Sequence, residues 1–150
     1  MHDQLGSHWL LKDVPPIARE LVCEKGVPVE VNPGEVLIHE TDANRHLFLV
    51  LDGKLKVSRP QNSNRQRGLM LGFAVPGDLL GEYSFIDGSP ASATVVAEER
   101  SLLYRFSHSS LQKLFATEPS VGFVIYRNLL RYLVGRLRES DDELDSIFLL

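Results

Sequence analysis

The chain has 150 residues, of which 43 % are hydrophobic and 24 % charged, and its formal net charge is −4. A chain of this length buries about 70 % of its unfolded surface in one core, and its acidic balance argues against a generic binder of nucleic-acid backbones, which needs clustered Lys and Arg. Cys23 is the only cysteine and no apolar run approaches a membrane span or a signal peptide, so the expectation is one soluble, cytoplasmic domain, residues 1–150, without disulfides.

In chain order, the first element is a helix over PPIARELVCEKG (15–26), with prolines at its start and Gly26 at its stop. Strand-like runs follow at VPVEV (27–31) and VLIH (36–39), separated by a Pro33-Gly34 turn. HLFLVL (46–51) and KLKVS (54–58) flank Asp52-Gly53, a pair suited to the positive φ angles of a tight hairpin. QNSNRQRG (61–68) has loop composition, and LMLGFAV (69–75) ends in the turn residues Pro76-Gly77-Asp78. SATVVA (92–97) and SLLYRF (101–106) complete the set. At least seven short strands predict a mainly β fold, a sandwich or roll over 27–106. SHSSLQKLF (107–115) predicts a short helix capped by Ser107 or Ser109.

From Pro119 onward the longest periodic segment begins, so 107–150 is read as C-terminal helices. Phe123, Tyr126, Leu130, Leu133, Leu137, Ser140, Leu144 and Ile147 follow steps of three and four. That spacing makes a coiled-coil-like stripe, open to two readings: a face lying on the chain's own β-core, or a seam for a second copy. A helix of about 30 residues is roughly 45 Å long and overhangs a domain of this size, which favours a homodimer through Phe123–Ile147. Ser140 is the one hydrophilic member of the stripe. Arg127, Arg131, Arg136 and Arg138 flank it and are expected to form a solvated face, and the acids at 141–145 would repel DNA.

The stretch GDLLGEYSFIDGSPASATVVA (77–97) carries the chemistry. A helical turn beginning near Gly81 offers free backbone amides to an anion, and Ser92 and Thr94 add hydroxyls. The Glu82 carboxylate repels phosphate but accepts hydrogen bonds, so a ribose hydroxyl is its natural partner. A phosphate beside a ribose describes a nucleotide.

At these residues the chain resembles the cyclic nucleotide-binding domain family, which includes the catabolite activator protein and protein kinase regulatory subunits. VNPGEVLIHETDANRHLFLVLDGKLKVS resembles the family's early strands, PGDLLGEYSFIDGSPASATVVA its phosphate-binding cassette, and the last helix its dimerising C-helix. The resemblance implies a jelly-roll β-roll, or double-stranded β-helix, followed by a long dimerisation helix. It implies cAMP or cGMP as ligand, with no other cofactor and no metal. Residue by residue, it implies ligand contacts at Leu80, Gly81, Glu82, Tyr83, Ser84, Ala91, Ser92, Ala93, Val95 and Ser140. Gly81 is the cassette glycine, Glu82 the acid for the ribose 2′-hydroxyl, Ser92 the small residue at the cyclic phosphate, Leu80 and Val95 pocket walls, and Ser140 a base contact.

One residue departs from the pattern. Ala91 stands where the family's cassette carries the Arg that pairs with phosphate, a bond worth roughly 1.5–3 kcal/mol. Arg45, Arg65, Arg67 and Arg100, all in predicted loops or turns, are the candidate replacements. The function implied is a non-enzymatic sensor that transmits cyclic nucleotide occupancy through the C-terminal helix to a downstream protein. The alternative is a degenerate fold acting as a dimerisation or protein-interaction module, or taking another small ligand. An enzyme is not expected: the five histidines lack metal-ligand spacing, and Tyr83-Ser84 lacks a nucleophile elbow.

Overall fold

The computed structural model describes residues 2–149. Two four-stranded antiparallel sheets form the body. One has the order β1 (Gly26–Val31), β8 (Ser101–Ser107), β3 (His46–Asp52), β6 (Leu79–Leu80). The other runs β2 (Val36–Ile38), β7 (Thr94–Ala97), β4 (Leu55–Arg59), β5 (Leu69–Ala74). The chain passes back and forth between the sheets, which makes the jelly-roll β-roll.

β3 shows why the roll has two cores. Leu47 and Leu49 point to one side and pack with Tyr104 and Phe106 against helical residues such as Leu11, Val22, Leu111, Ile125 and Leu129. Phe48 and Val50 point inward and join Leu55, Leu80, Val95 and Leu103 between the sheets. Successive side chains of a strand face opposite ways, so a strand covered on both faces reads as an unbroken apolar run.

The expected Asp52-Gly53 hairpin is corrected. β3 already has β8 and β6 on its two edges, leaving none for β4, which belongs to the other sheet. Asp52-Gly53 is instead the corner between sheets. Gly53 turns it at φ 94, and a Cβ there would collide with Ser101. The local hairpin is β4–β5, closed by the 60–68 loop.

Among the described residues five α-helices surround the roll, beginning with α1 (His2–Gly6) and α2 (Pro16–Cys23), which opens on proline as expected. α3 (Glu82–Asp87) lies in the cassette, and α4 (His108–Thr117) is capped by the Ser107 hydroxyl accepting from the Ser110 amide. α5 (Pro119–Phe148) is 30 residues long. No helix of the described residues is long and apolar enough to cross a membrane.

α5 meets the body through Val121, Ile125, Asn128 and Leu129, a face the sequence stripe did not mark. Asn128 is buried, and its Nδ2 donates to the carbonyls of Leu10 (2.9 Å) and Lys12 (2.8 Å). Those carbonyls belong to the 3-10 turn Trp9–Leu11 and its cap, which the sequence reading did not mark either. Of the stripe itself, Tyr126 and Leu133 are half-buried, whereas Phe123, Leu130, Leu137 and Leu144 are 69 %, 57 %, 64 % and 50 % exposed. The core-facing side and the heptad-spaced side are therefore separate faces of one helix.

Candidate functional site

The site is built from the turn after β6. Leu79 and Leu80 pair with Leu49 and Phe48, both buried, and deliver the chain to Gly81. Gly81 has φ 80, and a Cβ on it would meet the Asn44 carboxamide and the His46 carbonyl. Neither neighbour yields easily: Asn44 Nδ2 donates to the His46 carbonyl at 2.9 Å, and Asn44 Oδ1 accepts from the His46 amide at 3.2 Å. Glycine thus answers both a backbone angle and a lack of space.

α3 starts immediately, so the amides of its first turn have no main-chain acceptor inside the helix. Gly88, at φ 71, ends it by donating to the Ser84 carbonyl. Phe85, buried, fastens α3 to the helical layer: it stacks on Tyr126 of α5 at 5.6 Å and meets His108 and Phe115 of α4 edge-on.

The second half of the cassette is laced to the β2–β3 connection. The Ala91 amide donates to the Asp42 carbonyl at 2.9 Å, the Thr41 amide donates to the Ala91 carbonyl at 2.8 Å, and the Glu40 amide donates to Thr94 Oγ1 at 2.9 Å. Ala91, Ala93 and Val95 are buried, whereas Ser92 is exposed. The amide of Ala91 is therefore spent inside the protein.

These pieces enclose a cavity of about 710 Å³. All ten residues expected at the site line it: Leu80, Gly81, Glu82, Tyr83, Ser84, Ala91, Ser92, Ala93, Val95 and Ser140. Val57, Leu71 and Phe73 of β4 and β5 form an apolar wall, and α5 closes the mouth with Tyr132, Leu133, Arg136, Leu137, Glu139, Ser140 and Glu143. Asn44 and Asp78 also line it.

The expected replacement arginines do not. Arg65 grips Glu40 with Nη2 at 2.8 Å and Nη1 at 3.1 Å, Arg59 reaches the same carboxylate at 3.3 Å, and Arg100 pairs with Glu30 at 2.7 Å. Arg45 and Arg67 are likewise absent from the lining. The expectation that the C-helix arginines form one solvated face also needs correcting. Arg127 pairs with Asp13 at 2.9 Å, and Arg136 is the single cation lining the cavity among the described residues. A signal for Arg136 did exist, since it lies four residues before Ser140 and so shares its helix face.

The electrostatics centre on Glu82. Burial pushes its carboxyl above the ordinary glutamate value, and nearby Asp78 adds to the rise. A hydrogen bond from its own backbone amide and the charge of Arg136 pull the other way. Tyr132 is pushed up to about 12, mainly by burial. Its hydroxyl oxygen accepts from the Leu79 backbone amide, and its ring stacks on Trp9 at 4.6 Å and 15°. Trp9 Nε1 in turn donates to the Gly77 carbonyl at 2.9 Å. The same carbonyl accepts from His8 Nε2 at 2.8 Å, because His8 Nδ1 is already taken by the Leu10 amide. The N-terminal segment, the turn leading into the cassette and α5 are thereby tied together beside the cavity.

A jelly roll that holds a glycine-led loop and short helix inside, with a long helix across the opening, defines a small-ligand receptor of the β-roll class. Comparison with known proteins makes that specific. Residues 28–118 match the model of the cyclic nucleotide-binding domain, and the chain belongs to that family. It is 28 % identical to the CRP-like cAMP-activated global transcriptional regulator of Mycobacterium tuberculosis over 99 % of its own length and 64 % of that protein. It is 34 % identical to the cyclic AMP receptor protein of Thermus thermophilus over 76 % of its length and 50 % of that protein. The chain thus spans between half and two-thirds of these relatives. Among solved structures, a cyclic nucleotide-binding domain from Methylobacillus flagellatus KT superposes with a TM-score of 0.86 at 25 % identity, covering 95 % of this chain and 81 % of that one.

Proposed function

We propose that this chain is a non-enzymatic regulatory module, one domain over residues 1–150, that binds cAMP or cGMP in the roll and reports occupancy through α5. One observation carries the reading: ten residues drawn from the cassette and α5 converge on a single cavity of about 710 Å³, within the ~300–1,000 Å³ typical of small-molecule sites. Glu82 accepts from the ribose hydroxyls, Ser92 and the opening amides of α3 face the cyclic phosphate, and Ser140 meets the base. Relatives named for cAMP support the ligand class. Phe123, Leu130, Leu137 and Leu144, seven residues apart and exposed, support pairing of two copies along α5.

Calorimetric titration of cAMP and of cGMP into the wild type and Glu82→Ala tests this. At least one nucleotide should bind the wild type, and more weakly to Glu82→Ala. Failure of both nucleotides to bind the wild type at millimolar concentration would leave only the assembly role.

A further inference from the structure

We propose that the countercharge for the ligand's phosphate comes from α5, through Arg136, and not from the cassette; this rests on the cyclic nucleotide reading above. A cyclic phosphodiester brings one negative charge into a cavity already lined by Asp78, Glu82, Glu139 and Glu143. Arg136 is the one positive side chain in the lining. The position that holds the phosphate-pairing Arg elsewhere in the family is the buried Ala91, whose amide is committed to Asp42.

Several other cations of the roll are engaged, and none of them lines the cavity. Arg59 and Arg65 hold Glu40, Arg100 holds Glu30, Lys56 pairs with Glu98, and Lys54 lies over the Phe73 ring. Arg136 is different: its guanidinium sits 5.7 Å from the Tyr132 ring centre and joins none of the salt bridges among the described residues. It is near enough to Glu82 to lower that carboxyl's pKa. Arg136 is thus a cation on hand in the cavity, close enough to feel the Glu82 charge and engaged in no ion pair among the described residues. Binding gives each group its own partner: the phosphate takes the guanidinium, and Glu82 accepts from the sugar. Moving this charge from the cassette to α5 has a regulatory consequence, because neutralising the ligand and clamping the helix become one event.

The test compares cAMP and cGMP with adenosine and guanosine, which share base and ribose but lack the phosphate. Calorimetry is run on the wild type, Arg136→Ala, Arg136→Lys and the double variant Arg136→Ala/Ala91→Arg. Arg136→Ala should bind the cyclic nucleotides about ten- to hundred-fold more weakly, with nucleoside binding unchanged within twofold; a merely structural role would weaken both ligand types. Arg136→Lys should recover part of the loss. The double variant should recover affinity without the slowing of amide exchange in α5 that the ligand produces in the wild type. Equal binding of cyclic nucleotide by the wild type and Arg136→Ala overturns this assignment and leaves the cyclic nucleotide reading standing. A wild type that binds neither nucleotide removes both.

Discussion

Replacing Asn128 by Ala is the sharpest test of how α5 is held. Asn128 is 4 % exposed, and its Nδ2 donates to two main-chain carbonyls, those of Leu10 and Lys12. Alanine leaves both oxygens without that partner. The buried Leu10 carbonyl costs about 1–3 kcal/mol when unsatisfied, and the partly wet Lys12 carbonyl about 0.5–1.5 kcal/mol, so roughly 2–4 kcal/mol of stability is lost. For a domain of this size, about 2–4 °C per kcal/mol converts that into a Tm drop on the order of 5–15 °C. Urea unfolding followed by tryptophan fluorescence measures it, and Trp9, the single tryptophan, sits on the released turn. Asn128→Asp should be worse than Asn128→Ala, because a carboxylate cannot donate and faces two carbonyl oxygens. An Asn128→Ala protein within about 0.5 kcal/mol of the wild type would show that the N-terminal turn does not depend on this anchor.

Two further outcomes concern the cassette. Gly81→Ala should cost at least about 1–2 kcal/mol from its left-handed backbone alone, with more from the collision with Asn44 and His46; urea unfolding of the variant checks it, and an unchanged midpoint refutes the reading. Glu82→Gln should stabilise the unliganded protein near neutral pH, since burial raises the Glu82 carboxyl and its ionisation opposes folding. The raised pKa fixes the sign: the wild type has the full benefit of a protonated Glu82 below the ordinary glutamate value and loses it as pH rises through the folded value. The two proteins should therefore converge in stability in acid and diverge toward pH 7, and parallel curves would contradict the assignment.

Much of the fold was legible because its signals are local. Pro33-Gly34, Gly53 and Gly77 mark real turns, the Ser107 cap is where hydroxyl chemistry requires one, and the apolar run HLFLVL is a real strand. Strand partnership was not legible. Asp52-Gly53 has the composition of a hairpin, and only the occupancy of both β3 edges by distant strands turns it into a corner. The cassette could be read for the same reason as the turns, its residues being neighbours in sequence. Arg136 and Asn128 escaped because their roles depend on which helix face meets the roll. The apolar stripe pointed to a different face, one left exposed in this structure.

That division of α5 bears on how occupancy is transmitted. Up to Leu133 the helix is fixed by the core, by Asn128, by the Phe85–Tyr126 stack and by the Trp9–Tyr132 stack; from Val134 onward every described residue is exposed. The cavity-lining residues Arg136, Leu137, Glu139, Ser140 and Glu143 fall in that second part, so the proposed ligand contacts lie where the helix is least restrained. A ligand shifts an equilibrium between two helix positions by no more than the ratio of its affinities for them. A guanidinium–phosphate contact made in one position only, and worth about ten- to hundred-fold in affinity, turns at most a 10:1 preference against that position into roughly 1:10. A contact of that size is enough to switch a helix, and the proposed Arg136 contact would put the switch in the same turns that present Leu137 and Leu144 to solvent.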